Sequence, residues 1–422
     1  MFFKTGIFLF AAIFIIQAAC ETEYTIMINA YNAYMSNPTP ENQNAYDVAS
    51  VNYVQCQKDH GGGCGTKNTH QNDCGSRFID LDHDGRVDLM VNRYICTSSS
   101  QIYAYQNTGN GWQPMSSNFN SPIALTADPV GDLGVRFVDF DHDGYKDMVQ
   151  YRNLGNNVTI KSAYRNSGSG WVQVDSRFYP PVNITVDWLG DVGTRFVDVD
   201  HDGFEDFVFN RYVAPGTSII GAYRNTTNGW VQLPAAYNPP VSLTADAVGS
   251  CGVEFVDVDH DGYKDLIYSR WIGPGNEVKG AYRNTGSGWS ALPSQFTPPY
   301  NLAIDGQGSI SCKFVDVDGD GFEDMVVNRG GANVVRTYRN TGNGWSLMSS
   351  NYNSPIVFYF DNVGDLGANV VDVDNDGRKD LVQKRWISSN TQQVSTYKNT
   401  GSGWQVMNST YWVPWFLSID PL

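Results

Sequence analysis

Charge is scarce in this chain, and positive charge scarcer still. Of 422 residues, 17% are charged, against about 25% in ordinary soluble domains. Only 28 Lys and Arg stand against 44 Asp and Glu, a formal charge of −16. Neutralising a phosphate backbone needs the opposite balance, so nucleic acid is not an expected partner. Long apolar runs are also few. One opens the chain, where Lys4 precedes the apolar residues from Ile7 to Ile16 and the small pair Ala18 and Ala19 follows. That is the layout of a secretory signal over residues 1–20, and the run is too short for a comfortable membrane span. No later stretch is long enough to cross a bilayer. Secretion is the expectation, with a lipid anchor at Cys20 as the alternative. The usual catalytic signatures are missing too. There is no Gly-x-Ser-x-Gly, no His-Glu-x-x-His and no phosphate loop, so no enzyme activity is expected.

What is present points to short strands and tight turns: 13% aromatic residues and 42 Gly. Beyond Cys20 there are six cysteines: Cys56, Cys64, Cys74, Cys96, Cys251 and Cys312. An even number in an exported chain suggests disulfides. Cys251 and Cys312 precede neighbouring copies of one motif and are the expected pair, leaving the other four to staple the amino-terminal region. A zinc site from Cys56, Cys64 and Cys74 with His60 or His70 is the rival reading. Asn157, Asn183, Asn225 and Asn408 open glycosylation sequons.

The dominant signal is a repeat. Asp-x-Asp-x-Asp-Gly-x-x-Asp begins at Asp80, Asp139, Asp198, Asp257, Asp316 and Asp372, and a Trp after turn residues recurs at Trp112, Trp171, Trp230, Trp289, Trp345 and Trp404. The step is 59 residues except for one of 56 in each series, from Asp316 to Asp372 and from Trp289 to Trp345. The shortening falls between Arg329 and Tyr338, where other units carry loop residues such as Leu154-Gly-Asn-Asn. In the second unit, Arg136-Phe137-Val138 runs into the Asp loop and Asp147 to Arg152 runs out of it. Ser162 to Arg165 and Trp171 to Gln173 flank the turn at Asn166, and Ile184-Thr185-Val186 leads onward. These are hairpin signals. Four strands per unit match a propeller blade, which cannot bury both faces alone.

The expected fold is therefore all-β, a single β-propeller over residues 21–422. The 402 residues after the signal make about 6.8 periods. Tyr53-Val54-Gln55 mirrors Trp171-Val172-Gln173, and Ile26 to Tyr31 mirrors Leu89 to Tyr94. Residues 21–73 thus read as a degenerate unit, with residues 74–422 holding six full repeats and a closing strand. Seven blades are expected, the degenerate one closed by both termini. Six is the alternative.

Each loop packs four carboxylates into nine residues, which repel unless a cation sits among them. All-oxygen ligation suits a hard ion. Ligands at positions one, three and five let the chain wrap it, Gly at position six allows the sharp turn, position seven offers its carbonyl, and the last Asp closes the site. Calcium tolerates this geometry better than magnesium. These residues resemble the FG-GAP repeats of integrin α-subunit heads and the related VCBS-type repeats of bacterial surface proteins, over residues 74–404. The resemblance implies a seven-bladed propeller and about six calcium ions per chain. It implies ligation by Asp80, Asp82, Asp84, Arg86 and Asp88 in the first unit and by Asp139, Asp141, Asp143, Tyr145 and Asp147 in the second. The third would use Asp198, Asp200, Asp202, Phe204 and Asp206, and the fourth Asp257, Asp259, Asp261, Tyr263 and Asp265. The fifth would use Asp316, Asp318, Asp320, Phe322 and Asp324, and the sixth Asp372, Asp374, Asp376, Arg378 and Asp380.

Other residues recur in register. His83, His142, His201 and His260 at loop position four give way to Gly319 and Asn375; a position that tolerates all three is expected to be exposed. Arg93, Arg152, Arg211, Arg270, Arg329 and Arg385 follow the outgoing strand and read as structural partners of carboxylates, or as a basic ring for an anionic ligand. The repeat Trp residues read as packing between blades, or as platforms for sugar rings. Trp188, Trp271, Trp386, Trp412 and Trp415 are unit-specific and better placed for a binding face. The expected role is a non-catalytic extracellular module, monomeric, recognising a glycan or a protein. A polysaccharide lyase or hydrolase on a propeller scaffold and a purely structural cell-surface component are the alternatives.

Overall fold

The computed structural model describes residues 73–419, apart from 97–98, 128–129, 156–157, 188, 306, 311, 362 and 389–390. Alternating short strands and glycine turns fold into six sheets, with no α-helix among the described residues. In the second unit the inner strand Val135–Val138 pairs antiparallel with Asp147–Gly155, and the Asp loop joins them. Asp147–Gly155 pairs on its other edge with Val158–Asn166, which pairs with the outer strand Trp171–Gln173. A 3₁₀ turn, Ser176–Phe178, follows. The four strands expected from the sequence are all present. Each of the first five sheets adds two short strands, such as Thr185–Val186 and Gly190–Asp191.

The short strands form the junctions between units. Thr185–Val186 pairs parallel with Arg152 and Asn153 of its own blade and antiparallel with Gly190–Asp191. That segment continues directly into Thr194–Val197, the next inner strand. Apolar side chains fill the gaps between blades. Val138, Phe140, Val149 and Ala163 of the second unit pack with Phe207 and Phe209 of the third, all buried. Each repeat Trp lies half-buried at such a seam and donates its indole N–H to the 3₁₀ turn of the preceding blade. Trp171 reaches the Phe119 carbonyl at 3.3 Å, and Trp289 reaches that of Tyr237 at 3.0 Å. Packing between blades is the role the structure assigns to these tryptophans.

The ring closes with six blades, not the seven expected. Trp112 of the first unit donates to the Tyr411 carbonyl of the sixth at 3.4 Å. Leu89 and Val91 pack against Val371, Val373 and Val382. Asp73 bridges to Ser418, the same pairing that joins Thr126 to Asp132 between the first and second units. The indole hydrogen bond, the apolar packing and the short-strand bridge that join one unit to the next therefore recur between the last and the first, and no further blade stands between them among the described residues. The termini do meet, but at an ordinary junction. The degenerate unit assigned to residues 21–73 lies outside the described residues, Asp73 excepted.

Cys251 and Cys312 do not form the expected disulfide. Both are free thiols. Counted back from their loops they stand six and four residues ahead of Asp257 and Asp316. This offset sends Cys251 into one cluster with Leu243 and Leu266, and Cys312 into another against Ile304 and Ile310. Cys56, Cys64, His60 and His70 lie outside the described residues, so the zinc alternative does as well.

The seam contacts predict equivalence around the ring. Trp112→Ala at the first–sixth seam should destabilise the fold about as much as Trp289→Ala at the third–fourth seam. Each should cost roughly 2–3 kcal/mol, below the ~3–5 kcal/mol of a fully buried aromatic. Denaturant unfolding of the two variants checks this. A much smaller loss for Trp112→Ala would mean that the ring is not closed there.

Candidate metal centre

Each Asp loop is shaped by its own carboxylates. The first Asp accepts the N–H of the Gly at position six through Oδ2, at 2.8–3.0 Å in all six units. The Asp at position five accepts the N–H of position seven at 2.9–3.0 Å. Position four is left-handed, with φ of 59–62° at the His and Asn residues and 80° at Gly319. The following Gly has φ of 84–94°, a conformation that residues with a Cβ adopt only at a cost. The chain thus curls around a point faced by carboxylates.

Positions one, three and nine converge. In the first four units one oxygen from each of these three Asp side chains lies within 4.8 Å of the others, as with Asp139, Asp141 and Asp147. In the fifth, Asp316, Asp318 and Asp320 meet in this way, so position five enters the cluster there. At position three, Oδ1 of Asp82, Asp141, Asp200, Asp259, Asp318 and Asp374 is buried and lacks a hydrogen-bond partner in every loop. A buried carboxylate oxygen with no donor is costly. The same orphan in six loops fits a site built to take a cation with oxygen ligands. Position seven presents no side-chain ligand: its residues are Arg86, Tyr145, Phe204, Tyr263, Phe322 and Arg378.

The ninth residue is the most buried member. Asp88, Asp147, Asp206, Asp265, Asp324 and Asp380 are fully buried. Each accepts two backbone N–H bonds. In the fourth unit these come from Val258 at 3.1 Å and Asn284 at 2.9 Å. Burial outweighs these donors and pushes the carboxyls up to about 7, or about 8 for Asp147.

Two sets of residues belong to the site although motif reading did not single them out. One is a buried asparagine at the end of the third strand: Asn107, Asn166, Asn225, Asn284, Asn340 and Asn399. Its N–H serves the ninth Asp of its own loop. Its side-chain amide donates to the backbone carbonyl of the first Asp in the preceding blade's loop, at 2.7–2.9 Å. The bond from Asn107 to Asp372 carries this from the first blade to the sixth. Asn225 is thus buried with its amide nitrogen committed to Asp139, and the fold leaves no room for a glycan on it. Asn408 is exposed, Asn183 half-buried, and Asn157 lies outside the described residues. The second set precedes this asparagine by one residue. Arg224 and Arg283 pair with Asp200 and Asp259, Arg339 with Asp318 at 2.9 Å, and Lys398 with Asp374. Arg165 approaches Asp141 at 3.8 Å, and the first unit has Gln106 on Asp82 at 2.6 Å. Recurrence in register was the available signal for both sets.

The histidines at position four are not the exposed residues expected. His83, His142, His201 and His260 stack on Tyr145, Phe204, Tyr263 and Phe322 of the next blade, with centroids 3.2–3.3 Å apart and planes within 7°. Where position four is Gly319 or Asn375, the next blade's position seven is Arg378 or Arg86. The two positions vary together because they face each other across a seam. The recurrent arginines take the structural role: Arg152 binds Asp187 at 2.6 and 2.9 Å, Arg211 binds Asp246, and Arg270 and Arg329 bind Asp305 and Asp361. Among the unit-specific tryptophans, Trp412 is exposed and Trp415 packs on Tyr103 at 4.6 Å. Trp271 packs with Ile304 and Tyr359, Trp386 is half-buried, and Trp188 lies outside the described residues.

Two outcomes are expected. The ninth Asp residues are raised from an ordinary value near 4 to about 7, so their acid forms are favoured by folding. Their contribution is present below about pH 4 and is lost as pH rises through about 7, unless a cation offsets the charge. Thermal unfolding in chelator should weaken from pH 5 to 8, and added divalent cation should flatten that slope. Separately, Asn284→Ala should cost about 1–3 kcal/mol and weaken cation binding at the third and fourth loops together. Metal titration followed by calorimetry would show two affected sites and not one.

Comparison with known proteins agrees with this geometry. A family model described as FG-GAP-like repeat matches residues 80–149 and 316–382. A search of curated proteins finds no match. The two matched segments hold four of the six Asp loops, and the loops at Asp198 and Asp257 keep the same residues in the same register. Over those segments the chain is similar to FG-GAP-like repeats, and its described residues close into a six-bladed β-propeller.

Proposed function

We propose that this protein is a secreted, calcium-loaded propeller that acts as a non-catalytic binding module for a glycan or a protein outside the cell. The observation that carries the metal part is the buried, unpartnered Oδ1 at position three of all six loops. An all-oxygen, carboxylate-rich and adaptable loop suits calcium, which takes 6–8 oxygens. Extracellular calcium lies in the range where such modules bind, about 10⁻⁴–10⁻³ M, so the ions serve to brace the blades and not to signal. The secretory layout of residues 1–20 supports export, and no helix among the described residues is long and apolar enough to cross a membrane. The binding role rests on the architecture: a rigid ring whose carboxylates are engaged in loops and junctions, with a mouth and a rim open to partners. Trp412 and the exposed Val231, Leu347 and Val406 stand on that surface.

The test is thermal unfolding of the mature protein in calcium and in excess EGTA, with bound metal counted by native mass spectrometry. At a free concentration ten times its Kd, each ion contributes about 1.4 kcal/mol. Filling the six loops should raise Tm on the order of 10 °C, with about six calcium ions per chain. No bound metal and an unchanged transition would overturn the calcium assignment. A glycan array and a surface-protein pull-down, each in calcium and in EGTA, test the binding role. Absence of any calcium-dependent partner would leave the structural-component reading.

A further inference from the structure

We propose that the central channel holds a pocket for a neutral sugar residue on the side of the fifth and sixth units; this rests on the binding-module reading above. The channel is lined by the inner strands. In the first three units each carries an Asp and, four residues on, an Arg that pairs with it. Arg77 grips Asp73 at 2.7 and 3.0 Å, Arg136 meets Asp132 at 2.7 Å, and Arg195 meets Asp191 at 2.8 Å. These arms satisfy one another and occupy the channel on that side.

The pattern breaks on the other side, beginning with the fourth unit, which has Ser250 and Glu254 at the Asp and Arg positions and sets Glu254 near Arg195 and Lys313. The fifth unit keeps the cation as Lys313 but has Ser309 four residues before it. The sixth keeps the acid as Asp365 but has Asn369 where the long arm would stand. One ion pair is thus split between two blades, and one long side chain is replaced by a short one. A cavity of about 460 Å³ opens at this place, lined by Ser76, Arg77, Phe78, Lys313, Asp365 and Asn369 among others. That volume falls within the ~300–1,000 Å³ of small-molecule sites. The repeat alone does not explain it, because Lys313, Asp365 and Asn369 depart from the Asp–Arg pattern of the first three units.

The chemistry of the wall selects the ligand. Arg77 and Lys313 are balanced by Asp73 and Asp365, so a strongly charged ion gains no net attraction. Donors and acceptors of both signs lie close together with the apolar residues Phe78, Ala368, Val370 and Leu417 beside them. A molecule bearing many hydroxyls and an apolar ring face uses all of these at once. Charged hydrogen bonds to hydroxyls then supply orientation, and the apolar residues supply the contact for the ring face.

The experiment uses the mature calcium-loaded protein and ligand-observed saturation-transfer NMR. The probes are methyl glycosides of the common hexoses and N-acetylhexosamines, with inorganic phosphate and glycine run in parallel. At least one glycoside should bind saturably at millimolar concentration. Asn369→Arg restores the Asp–Arg pair of the first three units and fills the cavity. It should leave Tm unchanged and weaken binding at least about tenfold, a loss of about 1.4 kcal/mol. Lys313→Met tests the same wall without adding bulk and should weaken binding as well. Glycoside binding untouched by both variants would overturn the pocket while leaving the binding module standing. Failure of every glycoside would overturn it too. Phosphate or glycine binding that Asn369→Arg abolishes would overturn the sugar assignment.

Discussion

One buried asparagine per unit ties this structure together. In the fourth unit, Asn284 donates its N–H to Asp265 and its amide N–H to the carbonyl of Asp198 one blade back, and its amide oxygen accepts the N–H of Gly286. Its backbone N–H, amide nitrogen and amide oxygen each have a partner, and such buried polar joints specify a unique arrangement when their members are paired. An aspartate in its place would lack the donor that reaches the neighbouring loop. Because the same residue touches the closing carboxylate of one metal loop and the opening residue of another, no loop is independent of its neighbours. The ring is a chain of linked sites that ends where it began, at Asn107 and Asp372.

Charge sets the second constraint. Four carboxylates in nine residues are held close by backbone N–H groups that shape the loop, and those bonds leave the position-three oxygen with nothing to bind. Arg283, Arg339 and Lys398 come over the loops from the third strand and offset part of the repulsion. They approach from the exposed side and leave the inner oxygen unserved. A cation among the three converging oxygens would complete what the protein's own groups do not. Further toward the axis, position eight adds ion pairs from blade to blade, Lys146 to Glu205 and Lys264 to Glu323. These pairs are partly exposed, and each contributes little by itself.

The departures from sixfold repetition are as informative as the repetition. Gly319 and Asn375 lack the imidazole that stacks across four other seams, and their neighbours Arg378 and Arg86 turn back to Asp376 and Asp84 of their own loops. Gln106 replaces a basic residue in the first unit. Asn369 shortens the channel lining in the sixth. All four lie in the fifth, sixth or first units or at the seams between them; the fourth unit departs in the channel, with Ser250 and Glu254 at the Asp and Arg positions, so the second and third units are the regular part of the scaffold.

Much of this was legible in the chain. The spacing of Asp and Gly placed six loops, and the Trp period placed the outer strands, because a loop or hairpin is specified by residues within about ten positions of one another. The seam partners were half legible. The exchange of His for Gly or Asn at position four is matched by an aromatic-to-Arg exchange at position seven of the following unit, and following that match past Asn375 leads to Arg86 and hence to six blades. Counting residues led to seven instead, because length says nothing about where residues before the first repeat are placed. The burial of Asn225, the separation of Cys251 from Cys312 and the cavity beside Asn369 were decided only by the tertiary structure. Each depends on which side chain of another blade stands opposite, and that is set by the angle at which packed sheets close a ring, a long-range geometry that no local spacing encodes.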